Sequence, residues 1–148
     1  MAKEIKTQID INASVETVWN ALMKFEDYPN WNPFIRKISG EPLKGEKLNV
    51  FIQPLNSKGM TFKPTVLIAE RNSQFEWQGH LFIPGIFDGR HKFKLQENST
   101  GGCTLFHEEE FGGILSFIYN TQNAKESFAA MNLAMKGIAE GVSVIQKK

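Results

Sequence analysis

The stretch Cys103-Thr104-Leu105-Phe106-His107-Glu108-Glu109-Glu110-Phe111 decides how this chain is read. Successive side chains of a β-strand point to opposite faces. One face therefore carries Cys103, Leu105, His107, Glu109 and Phe111, and the other Thr104, Phe106, Glu108 and Glu110. The first set is apolar apart from a histidine and a carboxylate, which predicts a strand with one buried face and two polar groups committed to the interior. Asn98 to Gly102 supplies the turn before it, and Gly112-Gly113 ends it.

Downstream, Ile114 to Tyr119 reads as a separate helical turn or lid-like segment, followed by a long helix from near Asn123 to the end of the chain. Phe128, Met131, Met135, Ile138, Val142 and Ile145 recur at steps of three and four, beside a stripe of Ala130, Ala134, Gly137 and Gly141. A glycine inside a helix costs about 1 kcal/mol relative to alanine. Close contact with a sheet or a ligand offsets that cost, and so does plain tight packing.

Upstream the alternation repeats. His91, Phe93 and Leu95 share one face of a strand, and Phe75, Trp77, Gly79 and Leu81 share one face of another. Met60, Phe62, Pro64, Val66 and Ile68 occupy every second place, although Pro64 removes a ladder donor and argues for an edge or bulge. Leu48, Val50 and Ile52 follow a turn at Pro42 and Gly45, and a further strand is expected near Phe34 to Ile38. The chain opens on Ile5 to Ile11, again alternating, and Ser14 then stands where an N-cap belongs before Val15, Val18, Trp19 and Leu22. Between Phe25 and Pro33 two prolines interrupt helix, so an ordered turn is expected there.

The bulk composition fits one ordinary globular domain over residues 1–148: 41% hydrophobic, 11% aromatic and 22% charged residues, with no linker-like shift. Seventeen basic residues against sixteen acidic ones, for a net charge of +1, advertise no nucleic-acid partner. No run is apolar enough to cross a bilayer and no apolar signal core precedes the first strand, so no integral membrane association and a cytoplasmic location are expected. Cys103 is the single cysteine, which excludes an internal disulfide and an iron–sulfur or zinc thiolate cluster.

One strand, one or two short helices, about six more strands in hairpin order and a long terminal helix make an α+β fold of about seven antiparallel strands. The sequence resembles the SRPBCC superfamily, also called START-like or polyketide cyclase/dehydrase-like, with the helix-grip fold of the birch pollen allergen. The resemblance spans nearly the whole chain. It rests on Ile11-Asn12-Ala13-Ser14 before Val18-Trp19, on Tyr28-Pro29-Asn30-Trp31-Asn32-Pro33-Phe34, on Pro84-Gly85-Ile86-Phe87-Asp88-Gly89, on His107-x-Glu109-x-Phe111 and on Phe128-x-x-Met131-Asn132. It implies a curved sheet wrapped around the C-terminal helix, with a cavity between them for a small apolar molecule. Members include carriers, cyclases, dehydratases and accessory partners of larger enzymes, so the fold by itself assigns no reaction.

Strand phasing turns His91, His107 and Glu109 toward the concave face, where polar groups need partners. A histidine beside a carboxylate can act as a general base, and the same groups can instead satisfy one another and orient a polar ligand end. Trp31, Phe62, Trp77, Phe93, Phe128, Met131 and Met135, together with His91, His107 and Glu109, are the candidate ligand-lining residues. Outward Phe51 and Phe106 are either isolated surface residues or a homodimer contact. His-x-Glu on one strand plus a distant histidine is not a metal-ligand spacing, and no phosphate loop or nucleophile elbow is present, so neither metal nor cofactor is expected. Two functions follow: a binding or carrier protein for a small apolar molecule such as a lipid or polyketide, or a small cofactor-independent cyclase, dehydratase or hydrolase using His107 and Glu109.

Overall fold

A computed structural model describes residues 3–81, 85–114, 116 and 120–141. The elements run β1 (Lys3–Ile11), α1 (Val15–Met23), a single 3-10 turn (Phe25–Asp27), α2 (Tyr28–Trp31), β2 (Ile35–Ser39), β3 (Asn49–Ile52), β4 (Met60–Phe62), β5 (Thr65–Glu70), β6 (Gln74–Leu81), β7 (Phe87–Glu97), β8 (Cys103–Gly112) and α3 (Thr121–Ala139). All strand pairs are antiparallel, in a five-stranded sheet of order β1-β8-β7-β6-β5 and a three-stranded sheet β2-β3-β4.

Among the described residues eight strands thus stand where about seven are read from the alternation, and Pro64 is the reason. The run from Met60 to Ile68 is cut at Lys63-Pro64, with β4 pairing in the small sheet and β5 in the large one. A residue without an N–H cannot continue a ladder. The Pro64 carbonyl instead accepts from the Leu48 N–H, and the Val66 N–H donates to the Glu46 carbonyl, which ties the loop before β3 to the start of β5.

Ser14 caps α1 as expected, its hydroxyl accepting from the Thr17 N–H at 3.1 Å. The prolines between Phe25 and Pro33 do not exclude helix there. Pro29 sits in the first turn of α2, where backbone N–H groups have no intrahelical partner. Tyr28 is completely buried, its hydroxyl donating to the Leu22 carbonyl at 2.6 Å.

Asn120 caps α3 by accepting from the Asn123 N–H. The helix buries Ala124, Ser127, Phe128, Met131, Asn132 and Met135 against the sheet, principally against β1. Gly141, read as a helix-interior glycine, has φ +79 and lies beyond the helix end, a left-handed geometry that glycine adopts without strain. Val142 and Ile145, and most of the segment between Ile114 and Tyr119, lie outside the described residues. Phe51 and Phe106 are partly buried rather than fully outward. Among the described residues no helix is long and apolar enough to cross a membrane.

Candidate functional site

Register sets the concave face out in rows. Ile5, Glu109, His91, Trp77 and Val66 are successive cross-strand partners, and Thr7, His107, Phe93, Phe75 and Ala69 form the next row. The two histidines are therefore diagonal neighbours on β7 and β8, close enough for direct contact. Their Nε2 atoms are 2.7 Å apart.

The hydrogen bonds of this cluster have one consistent direction. Thr7 Oγ1 lies 2.7 Å from the His107 carbonyl oxygen, which only accepts, so the threonine hydroxyl donates there. The Asn132 amide nitrogen donates to Thr7 Oγ1 at 2.9 Å, which turns the amide oxygen toward His107 Nδ1 at 2.9 Å. His107 Nδ1 must then carry a hydrogen. In the neutral ring its Nε2 is an acceptor, so His91 Nε2 is the donor across the 2.7 Å contact. When His91 is neutral, its Nδ1 carries a lone pair. That atom faces Glu109 Oε2 at 4.0 Å.

Aromatic rings enclose the pair. Phe128 stacks on His107 at 4.3 Å with an interplanar angle of 3°, and Trp77 stacks on His91 at 5.1 Å and 16°. Phe93 approaches both imidazoles, at 4.5 Å from His107 and 5.0 Å from His91. Burial holds the proton affinity of His107 well below that of an ordinary histidine; the charge of His91 adds to this effect, and the Asn132 hydrogen bond opposes it. His107 is thus a neutral ring locked in one tautomer.

Of the ten ligand-lining candidates, His91, His107, Trp77, Phe93 and Phe128 come together in this cluster, and Glu109 stands at its edge. Met131 and Met135 are completely buried on α3. Trp31 stands farther off, edge-on to Tyr28 at 5.3 Å, and is linked to Trp77 of the cluster through Tyr28, Phe25 and Phe75. Phe62 covers Gly79, where a Cβ would meet its ring at 3.0 Å, and so joins the small sheet to the large one. Gly89 has a comparable role beside Glu109, since a Cβ there would lie 2.9 Å from Oε2. Two surface clefts of about 450 and 470 Å³, one lined by Phe25, Ile38, Val50 and Phe51 and the other by Pro33, Pro54 and Leu55, touch none of the ten. Among the described residues no three His, Cys, Asp or Glu side chains converge as metal ligands.

Sequence reasoning did not assign Thr7, Phe34 and Asn132 to the site, although Phe34 and Asn132 stand in the motifs that carry the resemblance. Thr7 shares strand parity with Ile5, Ile9 and Ile11, and Asn132 falls between Phe128 and Met135 on the apolar stripe of α3, so both signals were present in the spacing. Phe34, just before β2, reaches within 5.3 Å of Phe128 and 6.1 Å of His91 between ring centres.

This helix gripped by an antiparallel sheet matches known proteins along nearly all of its length. The family model for polyketide cyclase / dehydrase and lipid transport covers residues 2–141. The chain belongs to this family. Its polyketide cyclase / dehydrase and lipid transport fold is similar to that of a START superfamily protein from Mycobacterium smegmatis, 18% identical, with 95% of this chain and 99% of that one covered at a TM-score of 0.74. It is similar also to Ara h 8.0201, at 14% identity, 95% and 99% coverage and TM-score 0.72. The Aha1 dimer from Colwellia psychrerythraea gives 19% identity, 95% and 98% coverage and TM-score 0.71. At such identities the likeness is one of fold. No curated protein matches the sequence significantly.

Proposed function

We propose that this chain binds or carries a small apolar molecule with one polar end, of lipid or polyketide kind, held between the five-stranded sheet and α3. The observation that carries this reading is the gradient along the polar chain. His107 is sealed from solvent, whereas the side chain of His91 keeps 6% of its exposure and that of Glu109 13%. A polar chain whose middle, His107, is sealed and whose His91 and Glu109 side chains keep a little exposure inside an aromatic wall suits a ligand that enters apolar surface and anchors a polar group. The space that Gly89 leaves in front of Glu109 supports the same end as the mouth. Family membership, whose description includes lipid transport, agrees with it.

Titration with N-phenyl-1-naphthylamine tests the reading. The expected result is a saturable, one-to-one fluorescence rise in fully folded protein, with an apolar metabolite recovered by solvent extraction and mass spectrometry of freshly purified material. A signal that does not saturate, or that appears only as the protein unfolds, rejects it.

A catalytic reading draws on the contact between His91 Nδ1 and Glu109 Oε2. In that case His91, rather than the enclosed His107, is the ring that takes a proton, and Glu109 balances the imidazolium. Glu109→Gln would then abolish turnover of an identified substrate while leaving its binding intact.

A further inference from the structure

We infer that Asn32 is a ligand-binding residue, its side-chain amide donating a hydrogen bond to a carbonyl or ether oxygen carried on the apolar body of the ligand. The inference deepens the binding reading above and rests on it.

Among the described residues two side-chain polar atoms are buried without a hydrogen-bond partner, Asn32 Nδ2 and Asn72 Oδ1. Asn72 lies in the turn between β5 and β6 and is only partly buried. Asn32 is completely buried, at the end of α2. The orientation of its amide is fixed by its surroundings. Two main-chain nitrogens, of Phe34 at 2.9 Å and Ile35 at 2.8 Å, donate to one amide atom, so that atom is the oxygen and Nδ2 is turned away from them. A buried donor left unmet costs about 1–3 kcal/mol, which an occupant bearing an acceptor removes.

This donor is tied to the aromatic wall of the site. One of the two N–H groups that Asn32 holds belongs to Phe34, whose ring lies 5.3 Å from that of Phe128 on α3 and 6.1 Å from that of His91 on β7. Short α2 itself packs on α3.

The kind of occupant follows from what surrounds Nδ2. A buried water needs two to four polar partners. Around Asn32 the main-chain groups are already engaged: its own N–H donates to the Tyr28 carbonyl, Arg36 donates to the carbonyls of Asn32 and Pro29, and the Gln53 N–H donates to the Phe34 carbonyl. A water would bring two hydrogens of its own to carbonyls that already accept. A ketone, ester or ether oxygen brings none, so one amide donor satisfies it. A hydroxyl again adds a hydrogen, and a single amide does not replace the several donors that a carboxylate loses on leaving water.

Two probes of equal shape isolate this contact: decan-2-one, and 2-methyldec-1-ene, in which a methylene group replaces the carbonyl oxygen. Each competes with N-phenyl-1-naphthylamine at pH 8 for the wild-type protein and for Asn32→Asp. The aspartate keeps an oxygen for Phe34 and Ile35 and loses the amide hydrogens, and two backbone donors favour its ionised form. Between wild type and variant the ketone is expected to lose about tenfold in affinity relative to the alkene, as one buried hydrogen bond requires. In the infrared spectrum of the wild-type complex the carbonyl stretch of decan-2-one should lie below its value in hexane, and in the variant it should return toward that value. A ketone-to-alkene ratio unchanged in Asn32→Asp overturns the inference and leaves the binding reading intact. So does a ketone that fails to displace the fluorophore, or a wild-type carbonyl stretch equal to that in hexane, and both of these are read even if the variant does not fold. A fluorophore that never binds the wild-type protein removes both readings.

Discussion

His91 Nε2 and His107 Nε2 lie 2.7 Å apart, so the two rings share one hydrogen, and charging both would set two N–H groups against each other. With the opposite side of His107 committed to Asn132, the pair has a single place for an added proton, the Nδ1 atom of His91 beside Glu109.

This arrangement predicts acid sensitivity with a definite sign. His107 in the folded protein binds a proton far less readily than in the unfolded chain, chiefly because it is buried. Its stabilising contribution is complete above the unfolded value of about 6.5 and is lost as pH falls from there toward the depressed folded value. Denaturant unfolding from pH 7.5 to 5 should show the folding equilibrium weakening by up to about tenfold per pH unit below 6.5 from this residue alone. His107→Phe should flatten that part of the profile, measured against wild type in the same buffers.

Asn132 is the only described side-chain partner of His107 Nδ1 and also donates to Thr7. Asn132→Ala strands both groups in the interior and should destabilise by about 1–3 kcal/mol. Leu133→Ala changes the neighbouring position, which is 65% exposed, and should stay within about 0.5 kcal/mol of wild type. Equal losses in urea melts of the two variants would mean that the polar chain contributes nothing to stability.

Three consecutive glutamates on β8 offer an internal comparison. Glu109 shares the interior row of His91, whereas Glu108 and Glu110 lie on the other face, Glu110 pairing with Lys92. Glu109→Ala should cost about 1–3 kcal/mol, and each neighbour less, since exposed ion pairs contribute about 0–1 kcal/mol. Thermal melts that place all three together would contradict the interior role of Glu109.

Met135 tests where ligand space ends. It is completely buried, one turn from Asn132 and next to Lys136, whose Nζ reaches the Asp10 carbonyl far from the Glu109 end of the site. In close-packed surroundings Met135→Trp should cost about 1–3 kcal/mol. The folded fraction should still bind one equivalent of fluorophore. An unchanged melting temperature with lost binding would instead extend the ligand space to this turn of α3.

Much of this was legible beforehand because strand parity is a local property. The interior placement of His91, His107 and Glu109 follows from alternation with Phe93, Leu105 and Phe111, and the cap at Ser14 from side-chain chemistry. Pro64 was legible as a break but not in its outcome, since which sheet a strand joins depends on partners far away in the chain. The helical turns around Pro29 were hidden because proline forbids helix only after the first turn. Asn132 reads as a polar residue in a helix until Thr7 and His107, distant in sequence, give it partners.

The pairing of β1 with β8 has a consequence for how the chain is made. Thr7 and His107 are 100 residues apart, and Asn132 lies further on. During synthesis the first strand therefore emerges with Ile5, Ile9 and Ile11 uncovered and waits for almost the entire chain before its partner exists. No N-terminal fragment that stops short of α3 contains the donor and acceptor set that orients the two imidazoles. The buried polar cluster is complete only where both ends of the chain have closed over the histidines.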